Sequence, residues 1–298
     1  MSATDTQDGY QSVFAPELFK NKIAVVTGGG SGIGRCVAHE LSHLGAHVVL
    51  VGRKQEKLDA VAQEIEGDGG SCSTSAFDIR DEDAVQNAIN AIAETHGRID
   101  LLVNNAGGQF PSNLEAISKK GWDAVIATNL TGGWLMMKAV FEASMKDKGG
   151  SIVSITADMH NGMPGMAHSG AARAGMYNLT QTAAFEWAKH GIRVNAVAPG
   201  IIASSGMDTY DGTVKAMIPF MKTHIPAQRL GSEAEVSAAI CFLLSEGANF
   251  ISGIQLNVDG AGPLGGRMWP LEAHENLDVF NGFHRAVDPD VLRGKETG

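Results

Sequence analysis

The sequence predicts an α/β fold: a doubly wound parallel sheet of about seven strands with helices on both faces. Three observations carry that expectation. Short apolar runs rich in β-branched residues, such as Ile23–Thr27, alternate with longer amphipathic stretches, the pattern of strands buried on both faces and joined by crossover helices. No internal repeat, low-complexity tract or linker breaks that alternation before residue 261, so residues 21–261 read as one domain between a leader (1–20) and a tail (262–298). A chain of 298 residues with 44% apolar and 19% charged residues is large and apolar enough to bury one full core.

The elements follow in order. Ile23–Thr27 delivers the chain into glycines at 28, 29, 30, 32 and 34, and an amphipathic helix begins at once with Ile33, Val37, Leu41 and Leu44 on one face. A strand that feeds a glycine-rich turn into a helix N-terminus is a Rossmann-type dinucleotide site. Its glycines let backbone N–H groups approach a pyrophosphate, and the helix end supplies partial positive charge. A second strand, Ala46–Val51, ends at Gly52-Arg53-Lys54, where the ribose of a dinucleotide would lie. Arg53 and Lys54 with no carboxylate suit a 2′-phosphate, which favours NADPH over NADH. Ser73–Phe77 is the third strand, closing on Asp78-Ile79 ahead of a helix from Asp81 to His96.

Ile99–Val103 is the fourth strand and runs into Asn104-Asn105-Ala106-Gly107. Small residues there allow a cofactor to lie against the backbone, and the amides can tie neighbouring strands together. Helices are expected over 119–126, from about 129–132 to 146, over 168–189, and from Ser232 to Leu244, where Glu235 completes a capping box. Ser151–Ile155, Arg193–Val197 and Gln255–Val258 complete the strands. Ile201–Ile225 interrupts the rhythm where a substrate-covering lid would fit. The leader is expected to be mobile with Phe14 and Leu18 as anchors. The tail, with Trp269, Phe280 and Phe283, is expected to wrap this subunit or a neighbouring one.

Composition narrows the partners. A net charge of −10 argues against nucleic acid. No apolar run approaches a membrane span, and the first residues lack the basic and apolar regions of a secretory signal. Cys36, Cys72 and Cys241 have no ligand-like spacing and read as reduced core thiols, with no metal site expected. The final Glu-Thr-Gly is not a peroxisomal S-K-L address, so a cytoplasmic location is the expectation.

From about residue 20 to 262 the chain resembles the short-chain dehydrogenase/reductase family. The motifs are T-G-G-G-S-G-I-G at 27–34, Asp78, N-N-A-G at 104–107, Asn129 and R-V-N-A-V-A-P-G at 193–200. The resemblance implies cofactor contacts at Gly28, Ser31, Gly32, Ile33, Gly34, Asp78, Ile79, Asn105, Ala106, Gly107, Arg173, Pro199, Gly200 and Ile202. It also implies association into a dimer or tetramer. That family's usual chemistry uses a serine, a tyrosine thirteen residues on and a lysine four beyond; here those places hold Thr156, Ser169 and Arg173. A serine hydroxyl titrates too high to replace a tyrosinate, and arginine stays charged, so ordinary alcohol–ketone interconversion loses its proton relay.

More narrowly, H-S-G-A-A-R-A-G-M-Y-N-L-T at 168–180, N-N-A-G-G-Q-F at 104–110, K-G-W-D-A-V at 120–125 and E-V-S-A-A-I-C-F-L-L at 235–244 resemble the peroxisomal trans-2-enoyl-CoA reductases. The related 2,4-dienoyl-CoA reductases share the missing tyrosine. This implies NADPH-dependent reduction of the C=C bond of an enoyl thioester. Such a reaction asks chiefly for hydrogen-bond donors aimed at the thioester oxygen. Ser169 and Thr156 are candidate donors, Arg173 a ribose-holding cation, and Tyr177 the residue matching that family's catalytic tyrosine. Residues 169, 173 and 177 share a helix face, although Tyr177 lies about 12 Å of axial rise beyond Ser169.

Asn129 is a catalytic candidate that more simply holds a helix kink. Asp158 is a possible proton donor through water, and His160 and His168 read as polar rim residues. Lys119, Lys120, Lys146 and Lys148 are candidates for a CoA phosphate. Two rivals stay open: a dehydrogenase of another small hydroxy or keto compound, and a regulatory protein that binds NADP without turning it over.

Overall fold

The computed structural model describes residues 9–210, 212–264 and 271–293; Trp269 and the first eight residues lie outside them. Seven parallel strands form one sheet in the order β3-β2-β1-β4-β5-β6-β9. They are β1 (Ile23–Thr27), β2 (His47–Gly52), β3 (Ser71–Ala76), β4 (Leu101–Asn104), β5 (Gly150–Ile155), β6 (Ile192–Pro199) and β9 (Gln255–Val258). The order reverses between β1 and β4, and the crevice above that switch point is where an open α/β sheet takes its ligand. Register pairs Ala24 with Val48 on one side and with Leu101 on the other. The β4 to β6 cores read Leu-Leu-Val-Asn, Gly-Ser-Ile-Val-Ser-Ile and Ile-Arg-Val-Asn-Ala-Val-Ala-Pro, nearly all buried because helices cover both faces.

One face carries α1 (Gly32–His43), α2 (Gln55–Gly67) and α9 (Glu233–Leu244), whose Val37, Leu41, Leu58 and Val236 meet Val26 and Leu50 of the sheet. The other carries α3 (Glu82–His96), α5 (Gly132–Val140) and α7 (Ala167–Trp187), with Ile89, Met136 and Met176 against Val25 and Leu102. The capping box at Ser232 and Glu235 forms in full, each side chain bonding the other's backbone N–H.

Where two helices were expected between 119 and 146, one continuous helix runs from Lys119 to Lys148. It comprises α4 (Lys119–Ile126), a π-helical turn (Ala127–Thr131), α5, a second π turn (Phe141–Met145) and α6 (Lys146–Lys148). By length and composition this helix is apolar enough to cross a membrane, which the residue runs did not reveal, but half of its apolar window is buried within the fold. Its last turn leads into the start of β5, so Lys146 and Lys148 sit at the end of the sheet opposite the crevice; Lys119 is paired with Asp123 at 2.6 Å. These lysines are therefore not gathered around one phosphate.

The described parts of leader and tail pack against the domain and against each other. Tyr10, Ser12 and Ser237 all donate hydroxyl hydrogen bonds to the buried Glu40 carboxylate, at 3.1, 2.7 and 2.5 Å. Gln11 N–H donates to Gly282 O at 2.7 Å, and Phe283 packs with Tyr10 and Cys36 in a small satellite core. Residues 10–19 are thus pinned rather than mobile, because burying Tyr10 and Phe19 requires it. Arg285 and His284 clasp Asp68 at 2.6 and 2.8 Å, so the described tail lies on its own chain. The three cysteines are free thiols, Cys36 and Cys241 buried and Cys72 half-buried; no group of metal-ligating side chains occurs among the described residues.

Candidate active site

The glycine turn is shaped by what would collide with it. Gly28 and Gly32 adopt φ of +68° and +57°, the left-handed region that costs other residues most. A Cβ on Gly34 would strike the Gly28 carbonyl oxygen and the Asn105 side chain. The turn is tied to the next strand by Thr27, whose hydroxyl accepts the N–H groups of Asn105 and Ala106 at 3.0 and 2.9 Å and donates to Val103 O at 3.2 Å. Asn105 returns the bond, its amide donating to Thr27 O at 2.9 Å. Ser31 occupies the N-cap of α1 with extended backbone and makes no side-chain cap bond, so its hydroxyl is uncommitted toward the helix.

At the ribose end, Arg53 and Lys54 are exposed and clear of carboxylates except Asp78, whose charge Arg53 helps to stabilise. Arg80 holds Asp78 more closely, at 2.5 to 3.1 Å, and keeps its carboxyl below the ordinary range. Ile79 is buried against Gly132. This cradle fits a dinucleotide: bare backbone for a pyrophosphate, cations for a phosphorylated ribose, and a crevice that continues inward.

That crevice is a cleft of about 670 Å³. Its floor is Asn105, Gly107, Gly108, Ile155, Thr156, Pro199 and Gly200, and Met163, Ser204, His224 and Ile225 rise at the other end. Ile202 is buried just outside the lining, in the short strand β7 (Ile202–Ala203) that pairs with β8 (Gly231–Ser232). Residues 201–225 form the far wall as short turns: β7, a 3-10 turn (Ser205–Thr209), α8 (Gly212–Met217) and a second 3-10 turn (Ile218–His224).

Arg173 reaches the cleft from α7 and donates to Ile155 O at 2.5 Å. Burial pushes its guanidinium down to about 10, which leaves it a cation at neutral pH. A Cβ on Gly107 would come within 2.6 Å of this guanidinium, so Gly107 is what lets Arg173 lie against the loop. Asn129 does not face substrate. The π turn rotates its buried side chain onto Gly108, where Oδ1 accepts the N–H and Nδ2 donates to the carbonyl, both at 2.8 Å. Asn129 is a positioning residue that freezes residues 107–108 beneath Arg173.

Thr156 and Ser169 are less free than a pair of oxygen-binding donors would need to be. The Thr156 hydroxyl is shared between Val197 O at 3.1 Å and Gln255 Oε1 at 2.8 Å. Ser169 is fully buried and donates to Gln109 Oε1 at 2.7 Å. Gln109 itself lines the cleft; it stands within the N-N-A-G-G-Q-F run, but that resemblance gave it no role of its own. Its amide also donates to Tyr210 Oη at 3.3 Å, a second residue given no role from sequence.

Tyr177 corrects the expectation most. It shares the α7 face with Arg173, but two turns of helix carry it out of the cleft lining, and its ring meets His160 edge-on at 6.2 Å. Arg173 bonds Ile155, not Tyr177, so the cation that was to activate the phenol is used elsewhere. His168 is no rim residue: it is buried, accepts the Ser169 N–H at 2.9 Å and lies edge-on to Phe110 at 4.4 Å. His160 is exposed and Asp158 lines the cleft, with Oδ1 lacking a hydrogen-bond partner among the described residues.

Comparison with known proteins agrees with this geometry. The family profile described as Enoyl-(Acyl carrier protein) reductase matches residues 28–261. Rat peroxisomal 2,4-dienoyl-CoA reductase is 34% identical over 258 residues, covering 86% of this chain and 88% of its own length. Gluconate 5-dehydrogenase of Gluconobacter oxydans is 36% identical over 248 residues, covering 82% and 96%. Among solved structures, the citronellol catabolism dehydrogenase AtuB of Pseudomonas aeruginosa PAO1 is 56% identical with a TM-score of 0.77, over 85% of this chain and 99% of that one. A gluconate 5-dehydrogenase from Beutenbergia cavernae, described as NAD(P)-dependent and with bound NADP, is 33% identical with a TM-score of 0.77, over 84% and 99%. With a family profile matched over residues 28–261 and relatives at 34% and 36% identity along most of its length, this chain is an oxidoreductase that belongs to the short-chain dehydrogenase/reductase family.

Proposed function

We propose that this protein reduces the C=C bond of a 2-enoyl thioester, carried on CoA, with NADPH. One observation carries the reading: the cleft holds an arginine where a proton relay through lysine would stand, and among the described residues no phenol–amine pair lines it. A fixed cation beside small backbone groups favours charge accumulating on a substrate oxygen rather than proton exchange with an alkoxide. The relatives named 2,4-dienoyl-CoA reductases support the same reading.

When bound, the nicotinamide supplies the hydride. The chain's own residues do the rest. Arg53 and Lys54 hold the 2′-phosphate, and the glycine turn with the α1 N-terminus holds the pyrophosphate. Asn129 fixes the 107–108 backbone, and Arg173 keeps the inner cleft positive while ordering the ribose. The side chains of Met163, Ile201 and Ile225 give the acyl chain an apolar wall. Asp158, at the cleft wall, is the group placed to pass a proton from water to the α-carbon.

The 56% identity to AtuB favours a second reading, a dehydrogenase acting on citronellol or a similar branched alcohol. Mixing the protein with NADPH and crotonyl-CoA, then with longer, branched and dienoyl thioesters, and following the nicotinamide absorbance separates the two. Oxidation of NADPH by the thioesters is expected. Reduction of NADP by citronellol, with no thioester accepted, would overturn the first reading.

A further inference from the structure

Residues after 261 lie outside the matched family profile, and AtuB is covered over 99% of its length while 85% of this chain is used. The tail thus lies beyond the matched profile, and its described part is attached at defined points. At one point Phe283 is buried beside Arg35, whose guanidinium lies 5.0 Å from the ring, and Asp68 holds His284 and Arg285. Further along the chain the tail meets the far wall of the cleft. Asp290 N–H and Val291 N–H both donate to the Asp208 carboxylate at 3.1 Å, so a side chain of the lid caps the first turn of the tail's 3-10 segment Asp290–Leu292. Ahead of both points His274 pairs with Pro226 O at 2.9 Å, Arg229 donates to Leu277 O at 3.1 Å, and Ser232 donates to Phe280 O at 2.5 Å.

The lid has little structure of its own to hold it. Its helical pieces run only five to seven residues, its strand has two, and among the described residues Ile202, Met207, Ile218 and Ile225 are its buried apolar anchors. Segments so short draw their order from outside contacts and open at low cost. Two residues past Asp208 stands Tyr210, which accepts from Gln109, which in turn accepts from the buried Ser169. Two ties thus flank this turn of the lid, one from Asp208 to the tail and one from Tyr210 to Gln109 at the cleft wall.

We propose that the C-terminal segment is a strap that holds the lid in its closed position, with Asp208 and Tyr210 as positioning residues: Asp208 fastens the lid to the tail and Tyr210 fastens it to Gln109. Substrate then meets a site already formed. If the lid spends most of its time open, apparent substrate affinity falls by the closed fraction while the closed complex reacts as before. Loosening the strap therefore raises KM and leaves kcat.

Asp208→Ala, Asp208→Asn and Tyr210→Phe in the full chain test this. Amide hydrogen exchange over residues 205–224 should quicken about tenfold in Asp208→Ala, the scale of lost hydrogen bonds to a charged group. Exchange in β1 and β4 should stay as in the parent. Asp208→Asn, whose amide oxygen still accepts, should recover part of the protection. The KM for crotonyl-CoA should rise about tenfold in Asp208→Ala and less in Tyr210→Phe, with kcat within about twofold and NADPH affinity unchanged. The KM arm rests on the enoyl-thioester reading, and the exchange arm does not. A parent enzyme inert toward every enoyl thioester sinks that reading alone, leaving exchange to decide the strap. Unchanged lid exchange in Asp208→Ala, or an increase spread evenly through the sheet, overturns the strap.

Discussion

At the glycine end of the cleft the backbone is the binding surface; at the lid end side chains from distant parts of the chain make it. The glycine end is a local construction in which residues 27–34 and 104–107 meet across adjacent strands, and its few side-chain bonds, from Thr27 and Asn105, stay within those two stretches. The lid end joins Gln109, Ser169, the Asp208–Tyr210 segment and Asp290 from four places in the sequence. The first design tolerates no added atoms but needs no outside support. The second tolerates substitution but depends on every partner being present. A binding site can be rigid because nothing else fits, or because something else holds it.

The sharpest way to break this contrast is Gly34→Val. The new Cβ has only the Gly28 carbonyl and Asn105 to displace, both fixed by the sheet. NADPH affinity, read by quenching of nucleotide or protein fluorescence, should fall more than about 1,000-fold, or beyond about 4 kcal/mol. A fall of only about tenfold would show that the turn can yield.

Acid should act on the strapped side first. Burial holds the His39 ring, packed 5.0 Å from Phe283, at a pKa of about 4 instead of 6.5. A histidine with a depressed folded pKa contributes stability that is present above pH 6.5 and lost as pH falls toward 4. The loss reaches about 3 kcal/mol at 1.36 kcal/mol per pH unit. Glu233, raised to about 7 by burial, works in the opposite sense, its contribution being lost as pH rises from 4.5 through 7. The comparison that isolates His39 is therefore the slope of Tm against pH in the parent and in His39→Gln: between pH 4 and 6.5 the parent should gain stability with rising pH relative to the variant, in which the opposing fall from Glu233 is left uncompensated.

Arg53→Asp sharpens the cofactor half. It should weaken NADPH by about 10- to 100-fold relative to NADH, since a 2′-phosphate loses a charged partner and gains a like charge. Equal loss of both cofactors, measured by titration, would remove Arg53 from the ribose site. The smallest effect is expected of Tyr177→Phe: turnover within about twofold of the parent, because the hydroxyl lies outside the cleft. A larger drop in kcat would return the proton donor to that phenol.

Most of the sheet could be read from the sequence because each strand carries its own apolar run, and the strand ends shifted by only a residue or two. The second strand was expected at 46–51 and forms at His47–Gly52. A kink at Asn129 was expected, but its π form and the grip of Asn129 on Gly108 could not be read, because the partner lies 21 residues away. Tyr177 was misplaced for a related reason: a shared helix face says which residues align, not which of them reaches past the end of the sheet. Gln109, Tyr210 and Asp208 carry no local signature, and each has a role only through a partner far away in sequence.

What the sequence determined by itself is the parallel α/β domain, the dinucleotide cradle and the loss of the phenol–amine pair. All three rest on neighbours in the chain, where spacing and side-chain chemistry act directly. The tertiary structure alone decided that Asn129 grips Gly108, that Ser169 spends its proton on Gln109, and that the tail fastens the lid. Those outcomes depend on which distant groups packing brings within hydrogen-bond reach, and no periodicity records that distance.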